Sequence, residues 1–455
     1  MAQCKSMRDR PQSRFILASI VTILLCTACG QSQALPQETI ARPQQAAAPS
    51  PSPFPVVETR PTRTPQPTAK ATDLATASPL PPLPSVTVQP TIAPSLTPSF
   101  PKYDGSPLLK NHIGVQIHIH REDLRSLMRH LQALDVGWVK VQVSWKLYQP
   151  QPDAYAQDRL AELDSLVEAA VNNDMQLLLS VSKAPEWSRP TTDLDGPPSD
   201  YDLYRNFMAF LADRYKGRVA AYELWNEPNL QREWNGSPLS AADLTRLLSA
   251  GAAGVRQADP EATVISSAPA TTGINDGITA IDDRVFLRGM LDAGAGEIVD
   301  GIGVHPYGWA NPPDSSHTSP DPSIPTHNNH PSFFFGDTLS DYEALLAEYG
   351  VEGQLWVTEF GWGSFDQLTD DDNDPAQPPP GTEFMADVDE WEQATYLLRA
   401  LELGQQNDAV GPMIIWNLNF GPLLGHEYSE TGYSILRPDG SRRAAYHSLE
   451  HAKKT

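Results

Sequence analysis

Short apolar runs alternate with amphipathic segments eight times from His112 to the end of the chain. The apolar runs have the length and composition of buried parallel strands. The segments between them repeat apolar residues every three or four positions, as one buried face of a helix does. Eight repeated βα units are typical of one closed barrel. The sequence therefore predicts a (β/α)8 TIM barrel over residues 102–455.

The strand predictions follow the apolar runs. They cover Ile113 to Ile119, Trp138 to Val143, Gln176 to Ser182, Val219 to Trp225, Thr263 to Ser267, Ile298 to Val304, Gln354 to Thr358 and Met413 to Asn417. The segment from Leu124 to Leu134 has the spacing of an amphipathic helix. Because active sites of such barrels lie at the carboxyl ends of the strands, these ends are the place to look for chemistry.

Polar and aromatic residues cluster where six of the predicted strands end. They are Trp145, Pro185 to Trp187, Asn226 to Asn229, His305 to Tyr307, Glu359, and Trp416 with Asn417. Aromatic caps on a core could explain one or two of these positions but hardly six. The pattern therefore indicates a functional rim.

Two glutamates at this rim stand out. Glu227 and Glu359 lie far apart in the chain, but each falls at the end of a predicted strand, so strands four and seven should bring them to one rim. Glycosidic cleavage needs one carboxylic acid to protonate the leaving oxygen and one carboxylate to attack carbon or activate water. We expect a raised pKa for the acid, and hydrogen-bond donors that keep the other group ionised.

The sequence around both glutamates resembles glycoside hydrolase clan A, the retaining glycosidases on a (β/α)8 barrel, and is most like families 39 and 5. The most specific motif is Glu-Leu-Trp-Asn-Glu-Pro-Asn at residues 223–229, and the second is Trp-Val-Thr-Glu-Phe-Gly-Trp at residues 356–362. The resemblance covers residues 102–455. It implies that Glu227 is the general acid/base and Glu359 the nucleophile, with retention of anomeric configuration and a carboxyl separation of about 5 to 5.5 Å.

The same resemblance implies roles for five further residues. Asn226 would bind the sugar 2-hydroxyl, and His305 with Tyr307 would form the polar pair after strand six, where the tyrosine orients the nucleophile. Trp416 would lie under the sugar. The clan usually has an arginine near the end of strand two, and here Lys140 stands in its place, although lysine is a point charge and not a planar fork.

Five tryptophans near the rim are candidates for stacking on sugar rings: Trp145, Trp187, Trp234, Trp309 and Trp362. Of these, Trp187 and Trp309 are the ones we favour as substrate contacts. A long segment from His305 to Asp337 should form a lid or cleft wall rather than a metal site, because its histidines lack zinc-type spacing. Asp370 to Asp374 departs from the EF-hand pattern and is predicted to be a solvated turn. We expect no metal and no cofactor.

Charge and cysteine content limit the partners. Residues 102–455 hold 25 Lys plus Arg against 52 Asp plus Glu, so nucleic acid and anionic lipid headgroups would be repelled. Neutral carbohydrate remains the favoured substrate, and we expect a monomer. All three cysteines precede residue 30, which excludes disulfides, zinc thiolates and a cysteine nucleophile from the barrel.

The first 101 residues predict export and display. Basic residues precede an apolar run from Phe15 to Ala28 that is too short to span a bilayer, and Cys29 follows in a lipoprotein-type cleavage box. Residues 1–29 would thus be a signal peptide and Cys29 a lipidated anchor, the only membrane attachment. Residues 30–101 are rich in Pro, Thr and Ser and predict a disordered, extended linker. An ordinary signal peptide cut near Ala28, giving a secreted protein, is the alternative.

Two other functions remain open from the sequence. A non-catalytic glycan-binding lipoprotein could use the same barrel, although degenerate barrels normally lose one of the two carboxylates and this chain has both. A metal-dependent hydrolase would lose its activity to chelators. The favoured prediction is a retaining β-glycosidase held at the bacterial cell surface.

Overall fold

The computed structural model describes residues 100–120 and 122–455. The signal peptide, Cys29 and the linker up to residue 99 lie outside the described residues, and the predictions for them stay predictions. In the part of the chain that is described, the helices are all too short or too polar to cross a membrane.

Eight parallel strands close into a ring in chain order, which confirms the predicted barrel. They are β1 (Ile113–Ile117), β2 (Trp138–Ser144), β3 (Gln176–Ser182), β4 (Ala221–Leu224), β5 (Thr263–Ser266), β6 (Gly301–Val304), β7 (Gln354–Phe360) and β8 (Val410–Ile415). Several predicted boundaries differ by one to three residues, and the two largest differences are at the starts of β6 and β8. Residues from Ile298 to Asp300 precede β6, because Ala295–Ile298 form a short helix, and β8 begins three residues before Met413.

Twelve helices in the described residues surround or cap the ring. They are α1 (Leu124–Leu134), α2 (Trp145–Tyr148), α3 (Gln157–Val171), α4 (Tyr201–Arg214), α5 (Ala241–Ala258), α6 (Asp283–Asp292), α7 (Ala295–Ile298), α8 (Phe335–Tyr349), α9 (Glu390–Gln405), α10 (Gly421–Leu424), α11 (Ser429–Tyr433) and α12 (Ala444–His451). Helix α1 has the predicted bounds. The Asp123 side chain caps it by accepting a hydrogen bond from the Arg125 amide, and its apolar face is buried against the barrel.

The inside of the barrel changes from apolar to charged along the strands. An apolar cluster fills the end at which the strands begin, and it consists of Trp138, Leu178, Ala221, Ile265, Trp356 and Ile414. Side chains two positions further along a strand point to the same side. Lys140 and Glu223 therefore follow Trp138 and Ala221 into the interior, where both are fully buried. This places a charged layer directly beneath the carboxyl-end rim.

A buried arginine joins the loops after β7 and β8, which form part of that rim. Arg443 is 0% exposed and donates from Nε to Glu390, from Nη1 to the carbonyls of Gly432 and Ser434, and from Nη2 to the carbonyl of Ser364. The guanidinium thus satisfies backbone acceptors of both loops at once.

We expect Arg443→Met to lower the free energy of unfolding by about 3 to 5 kcal/mol, because it leaves Glu390 and three carbonyls without this donor. Chemical denaturation measures the change. The matched control is Arg288→Met, which breaks an exposed pair with Glu348 and should change stability little. Equal effects of the two substitutions would contradict the role given to Arg443.

Candidate active site

The structure brings Glu227 and Glu359 to the same mouth of the barrel. Glu227 lies three residues after the end of β4, and Glu359 is the penultimate residue of β7. One oxygen of each carboxylate and a ring nitrogen of His305 all lie within 4.8 Å of one another. The Glu227 side chain is 13% exposed and that of Glu359 is 8% exposed, so both can meet a ligand from the rim while being largely shielded from water.

Lys140 holds the Glu359 side of the site from below. Its Nζ lies 2.9 Å from Glu359 Oε1, 3.1 Å from Glu223 Oε2 and 3.0 Å from the Thr358 carbonyl oxygen. Burial alone would lower the pKa of Lys140, but the two carboxylates raise it, so the ammonium stays charged. The fully buried Glu223 thus has a cation beside it, and the same lysine contacts Glu359, the predicted nucleophile.

Tyr307 reaches Glu359 from the opposite side. Its hydroxyl donates to Glu359 Oε2 at 3.1 Å, and burial raises the pKa of Tyr307 well above its ordinary value, so the hydroxyl keeps its proton. One oxygen of Glu359 thus faces an ammonium and the other a hydroxyl. Both contacts favour the ionised carboxylate.

Glu227 is held as an ion as well, which differs from the expectation of a raised pKa. Burial alone would raise the pKa of Glu227, but the hydrogen bond with His305 and the charge of Arg232 lower it to about 2. His305 Nδ1 lies 3.2 Å from Oε1, and Arg232 Nη2 lies 2.9 Å from Oε2. The expectation of a raised pKa was wrong because it was based on the strand pattern alone. Arg232 lies in the loop after β4, which that pattern does not describe.

The protons of His305 follow from a buried chain of hydrogen bonds. The Thr358 hydroxyl donates its only hydrogen to Glu223 Oε1 at 2.6 Å, so it must accept from His305 Nε2–H at 3.1 Å. Nε2 therefore carries a hydrogen, and the proton at Nδ1 is the one shared with Glu227. The surrounding carboxylates raise the pKa of His305 against the effect of its burial. His305 can thus hold a proton next to Glu227.

The backbone around Glu227 is held in an unusual conformation. Glu227 has φ of 41° and Trp225 has φ of 77°, both in the left-handed region that residues other than glycine rarely adopt. The Glu227 amide donates to the Ala268 carbonyl, and the buried Trp225 ring packs edge-on against Trp234. Such strain persists only where neighbouring contacts over-determine it, and it is found preferentially at functional sites.

Comparison with known proteins decides the family. Residues 102–386, more than half of the chain, match the family described as Cellulase (glycosyl hydrolase family 5). The chain belongs to this family. Membership indicates an O-glycosyl hydrolase. No curated protein matches the sequence significantly.

Solved structures agree on the fold. A family 39 glycoside hydrolase from the gut symbiont Bacteroides cellulosilyticus WH2 matches with a TM-score of 0.57 and 20% identity, over 76% of this chain and 64% of that one. A glucosidase from Croceicoccus marinus matches with a TM-score of 0.53 and 15% identity, over 76% of this chain and 68% of that one. The chain thus spans less than two thirds of the family 39 structure, and at these identities the likeness concerns the barrel alone.

In this family 5 glycosyl hydrolase, the other residues predicted to bind substrate line the same mouth. Asn226 is 7% exposed, and its Oδ1 is buried without a hydrogen-bond partner in the described residues. Trp416 is partly exposed, and its ring lies 6.1 Å from Tyr307 and 5.2 Å from Tyr433. An amide oxygen without a partner suits a sugar hydroxyl, and a partly exposed aromatic ring suits a sugar face.

The tryptophans divide into packing residues and rim residues. Three of the five candidates, Trp145, Trp234 and Trp362, are 0% exposed and cannot stack on a sugar. Trp187 and Trp309, the two favoured positions, are partly exposed. The Trp187 indole nitrogen donates to the Gln149 carbonyl. Trp309 stacks on His327 at 5.6 Å, so one of its ring faces is already covered.

The sequence analysis missed a group of charged residues beside Glu227. Arg232 contacts Glu227, while Glu233 and Lys183 lie near it in the loops after β4 and β3. These loops have no periodicity that would assign a direction to a side chain. The one available signal was a pair of charged residues directly after the Asn-Glu-Pro-Asn motif.

The histidines of the long β6 loop have separate partners. His317 Nδ1 lies 2.7 Å from Asp337, and His330 Nε2 lies 3.6 Å from Asp282. The trio Glu227, His305 and Glu359 has ligand-like spacing. However, Arg232 and Lys140 already neutralise the two carboxylates, and both His305 nitrogens face hydrogen-bond partners, which suits proton sharing better than a cation.

A cavity of about 690 Å³ opens at the other end of the barrel, lined by Trp138, Trp356 and Asp174 among others. These residues begin the strands or precede them. That face of a TIM barrel serves stability, and the chemistry lies at the opposite face. We therefore assign the active site to the mouth that contains Glu227 and Glu359.

We expect Lys140→Met to destabilise the protein more at pH 8 than at pH 5. Without the ammonium, Glu223 and Glu359 lose their nearest cation, and a buried pair of carboxyl groups costs most when both are charged, at the higher pH. The lysine of the parent protein stays charged over this range because its pKa is raised. Urea unfolding at the two pH values measures the difference.

The matched control is Lys146→Met, whose ammonium pairs with Asp195 at the rim and is 23% exposed. A loss of stability by Lys140→Met that is the same at both pH values would contradict the charge network.

Proposed function

We propose that the protein is a retaining glycoside hydrolase that cleaves β-glycosidic bonds of poly- or oligosaccharides by a two-glutamate double displacement. The observation that carries this proposal is the separation of less than 4.8 Å between an oxygen of Glu227 and an oxygen of Glu359. Inverting enzymes hold their carboxyl groups about 6.5 to 9.5 Å apart to admit a water, whereas retaining enzymes hold them about 5 to 5.5 Å apart.

In the first step, Glu359 attacks the anomeric carbon and Glu227 protonates the leaving oxygen. Lys140 and Tyr307 each contact one oxygen of Glu359 and so fix the orientation of the carboxylate. The proton shared with His305 Nδ1 lies beside Glu227, ready to be moved onto it. In the second step, Glu227 has lost that proton to the leaving group and deprotonates the water that releases the sugar from Glu359.

The substrate we propose is a neutral carbohydrate. Asn226 offers an unpaired oxygen to a sugar hydroxyl, and Trp416 offers a partly exposed ring beside Tyr307. Trp187 and Trp309 lie further out on the rim, where they could contact neighbouring sugar units. These contacts require no metal or cofactor.

One observation favours the second candidate, a glycan-binding protein without turnover. The pair between Glu227 and Arg232 keeps the predicted acid ionised, and an ionised carboxylate cannot protonate a leaving group. A measurement of substrate turnover distinguishes the two candidates, because only the glycoside hydrolase forms products.

We expect the purified protein to cleave at least one polymer in a panel of xylans, β-glucans, mannans and galactans. Proton NMR during the first minutes should show the β-anomer of the new reducing end before mutarotation, since two displacements retain configuration. First appearance of the α-anomer would refute the double displacement. Binding without products would favour the glycan-binding candidate.

Glu359→Ala should lower kcat by at least about 10⁴-fold while substrate binding persists, because it removes the nucleophile and not the sugar contacts. Isothermal titration with an oligosaccharide substrate measures the binding. Glu186→Ala, at an exposed position on the same rim, is the control and should turn over normally. Comparable turnover by both variants would exclude Glu359 as the nucleophile.

We also propose that Cys29 is lipidated and that residues 30–101 hold the barrel away from the bacterial membrane. The support is the sequence of residues 1–101, with its basic start, its short apolar run and its proline-rich linker. Cells fed a labelled fatty acid should incorporate the label into the parent protein and not into Cys29→Ala. Labelling of both, or of neither, would favour a secreted protein or another anchor.

A further inference from the structure

Arg232, whose side chain is 37% exposed, makes far fewer hydrogen bonds than the fully buried Arg443. Its one side-chain hydrogen bond in the described residues is the one to Glu227, and its Nε is buried without a partner. Arg443, by contrast, donates to four backbone carbonyls and Glu390. A guanidinium has five N–H donors, so Arg232 leaves most of its capacity unused. It is therefore free to change partner at low cost.

A second acceptor stands directly beside it. Glu233 is 6% exposed, and its Oε2 is buried without a hydrogen-bond partner. Its backbone is fixed, because its amide donates to the Leu230 carbonyl and its carbonyl accepts from Trp225 Nε1. A donor on Arg232 and an acceptor on Glu233, both without a partner, thus lie on consecutive residues, and each charge acts on the other. A buried polar group left without a partner is destabilising, so pairing the two would be favourable.

The charged residues around Arg232 and Glu233 have other partners of their own. Lys183 faces Glu233, but its ammonium lies 3.4 Å from Asp195, which Lys146 also contacts. Glu430 acts on Arg232 from the loop after β8, and the Ser429 hydroxyl donates to it. On the far side of Glu227, His305 supplies the only other close donor in the described residues.

We propose that Arg232 is a movable counter-ion that alternates between Glu227 and Glu233, which makes Glu233 a positioning residue for the acid step. This inference deepens the proposed glycosidase and rests on it. In this structure Arg232 holds Glu227 ionised, the form needed as base in the second step. When Arg232 turns to Glu233, Glu227 is released to carry a proton, the form needed as acid in the first step.

The change of partner is a balanced proton transfer. The O–H bond of a protonated Glu233 breaks, an O–H bond forms on Glu227 through water, and Arg232 moves to the new carboxylate. The total charge of the three groups is unchanged. Burial raises the pKa of Glu233 to about 7, so at neutral pH this carboxyl can supply the proton. The two carboxyls then titrate as a coupled pair.

The proposed exchange predicts how the rate of the acid step depends on pH. Below about pH 7 the pair retains one proton, and the fraction of it on Glu227 does not depend on pH. Above that pH the proton is lost and the acid step slows. With glutamine at position 233 this stored proton is absent, and Glu227 is protonated, through His305 or from water, only as far as its own low pKa allows, so kcat/KM should fall about tenfold per pH unit across the neutral range.

The activity test compares two aryl glycosides of the cleaved sugar, one with an unactivated phenol and one with dinitrophenol, which leaves without protonation. At pH 6.5 we expect Glu233→Gln to lower kcat/KM by about 10²-fold or more for the first and by less than about threefold for the second. Glu233→Asp should restore part of the loss, and Glu352→Gln, at an exposed position before β7 at the other end of the barrel, should change neither. In an Arg232→Gln background, Glu233→Gln should have little further effect, because the counter-ion is absent.

Equal losses on both substrates, or the same loss with and without Arg232, would overturn the inference.

A measurement without substrate tests the inference separately from the proposed function. In protein labelled with ¹³C at glutamate carboxyls, one signal should titrate near pH 7 and vanish in Glu233→Gln. A second signal, assigned by its loss in Glu227→Gln, should shift at the same pH. If no glutamate titrates there, the inference fails even in an active enzyme. If the coupled titration is present and no glycan is cleaved, the glycosidase proposal fails and the ion-pair exchange stands.

Discussion

A single ammonium group buried inside the barrel fixes the geometry of the whole site. Lys140 is 0% exposed, donates to Glu359 and to the Thr358 carbonyl, and forms an ion pair with Glu223 at 3.1 Å. An unpaired charge at this depth would be severely destabilising, so the carboxylates must remain where they are for the barrel to be stable. The position of Glu359 is therefore a consequence of folding and does not depend on substrate.

The same network continues to the other carboxylate. Glu223 accepts from Thr358, Thr358 accepts from His305, and His305 shares a proton with Glu227. Each bond in this chain fixes the orientation of the next group. Two carboxylates with different surroundings result: one between an ammonium and a phenol, the other between an imidazole and a mobile guanidinium. Different surroundings are what let two chemically identical groups take different roles.

The sequence predicted the barrel and the meeting of Glu227 and Glu359 because strand order and strand ends leave little freedom. In a closed parallel barrel all carboxyl ends share one rim, so residues after β4 and β7 meet wherever the chain connects them. The inward direction of Glu223 was predictable for the same reason, since side chains alternate along a strand. Lys140 was assigned from the resemblance, and its three contacts were not foreseen.

Other features depend on packing that no local pattern contains. Trp145 follows β2 at the rim, but its ring stacks on Phe207 of α4 and is fully buried. The low pKa of Glu227 is caused by Arg232, which a loop without regular structure places there. Loop conformation is set by tertiary contacts, and so the electrostatics of a site built on loops escapes sequence reasoning.

The most direct test of the central claim is mass spectrometry of the protein after incubation with an activated 2-deoxy-2-fluoro-β-glycoside of the preferred sugar, which slows release of the glycosyl-enzyme. The account predicts one added fluoroglycosyl unit on the peptide that contains Glu359. An adduct on Glu227 or Glu233, or turnover of natural substrate with no adduct under any condition, would contradict it.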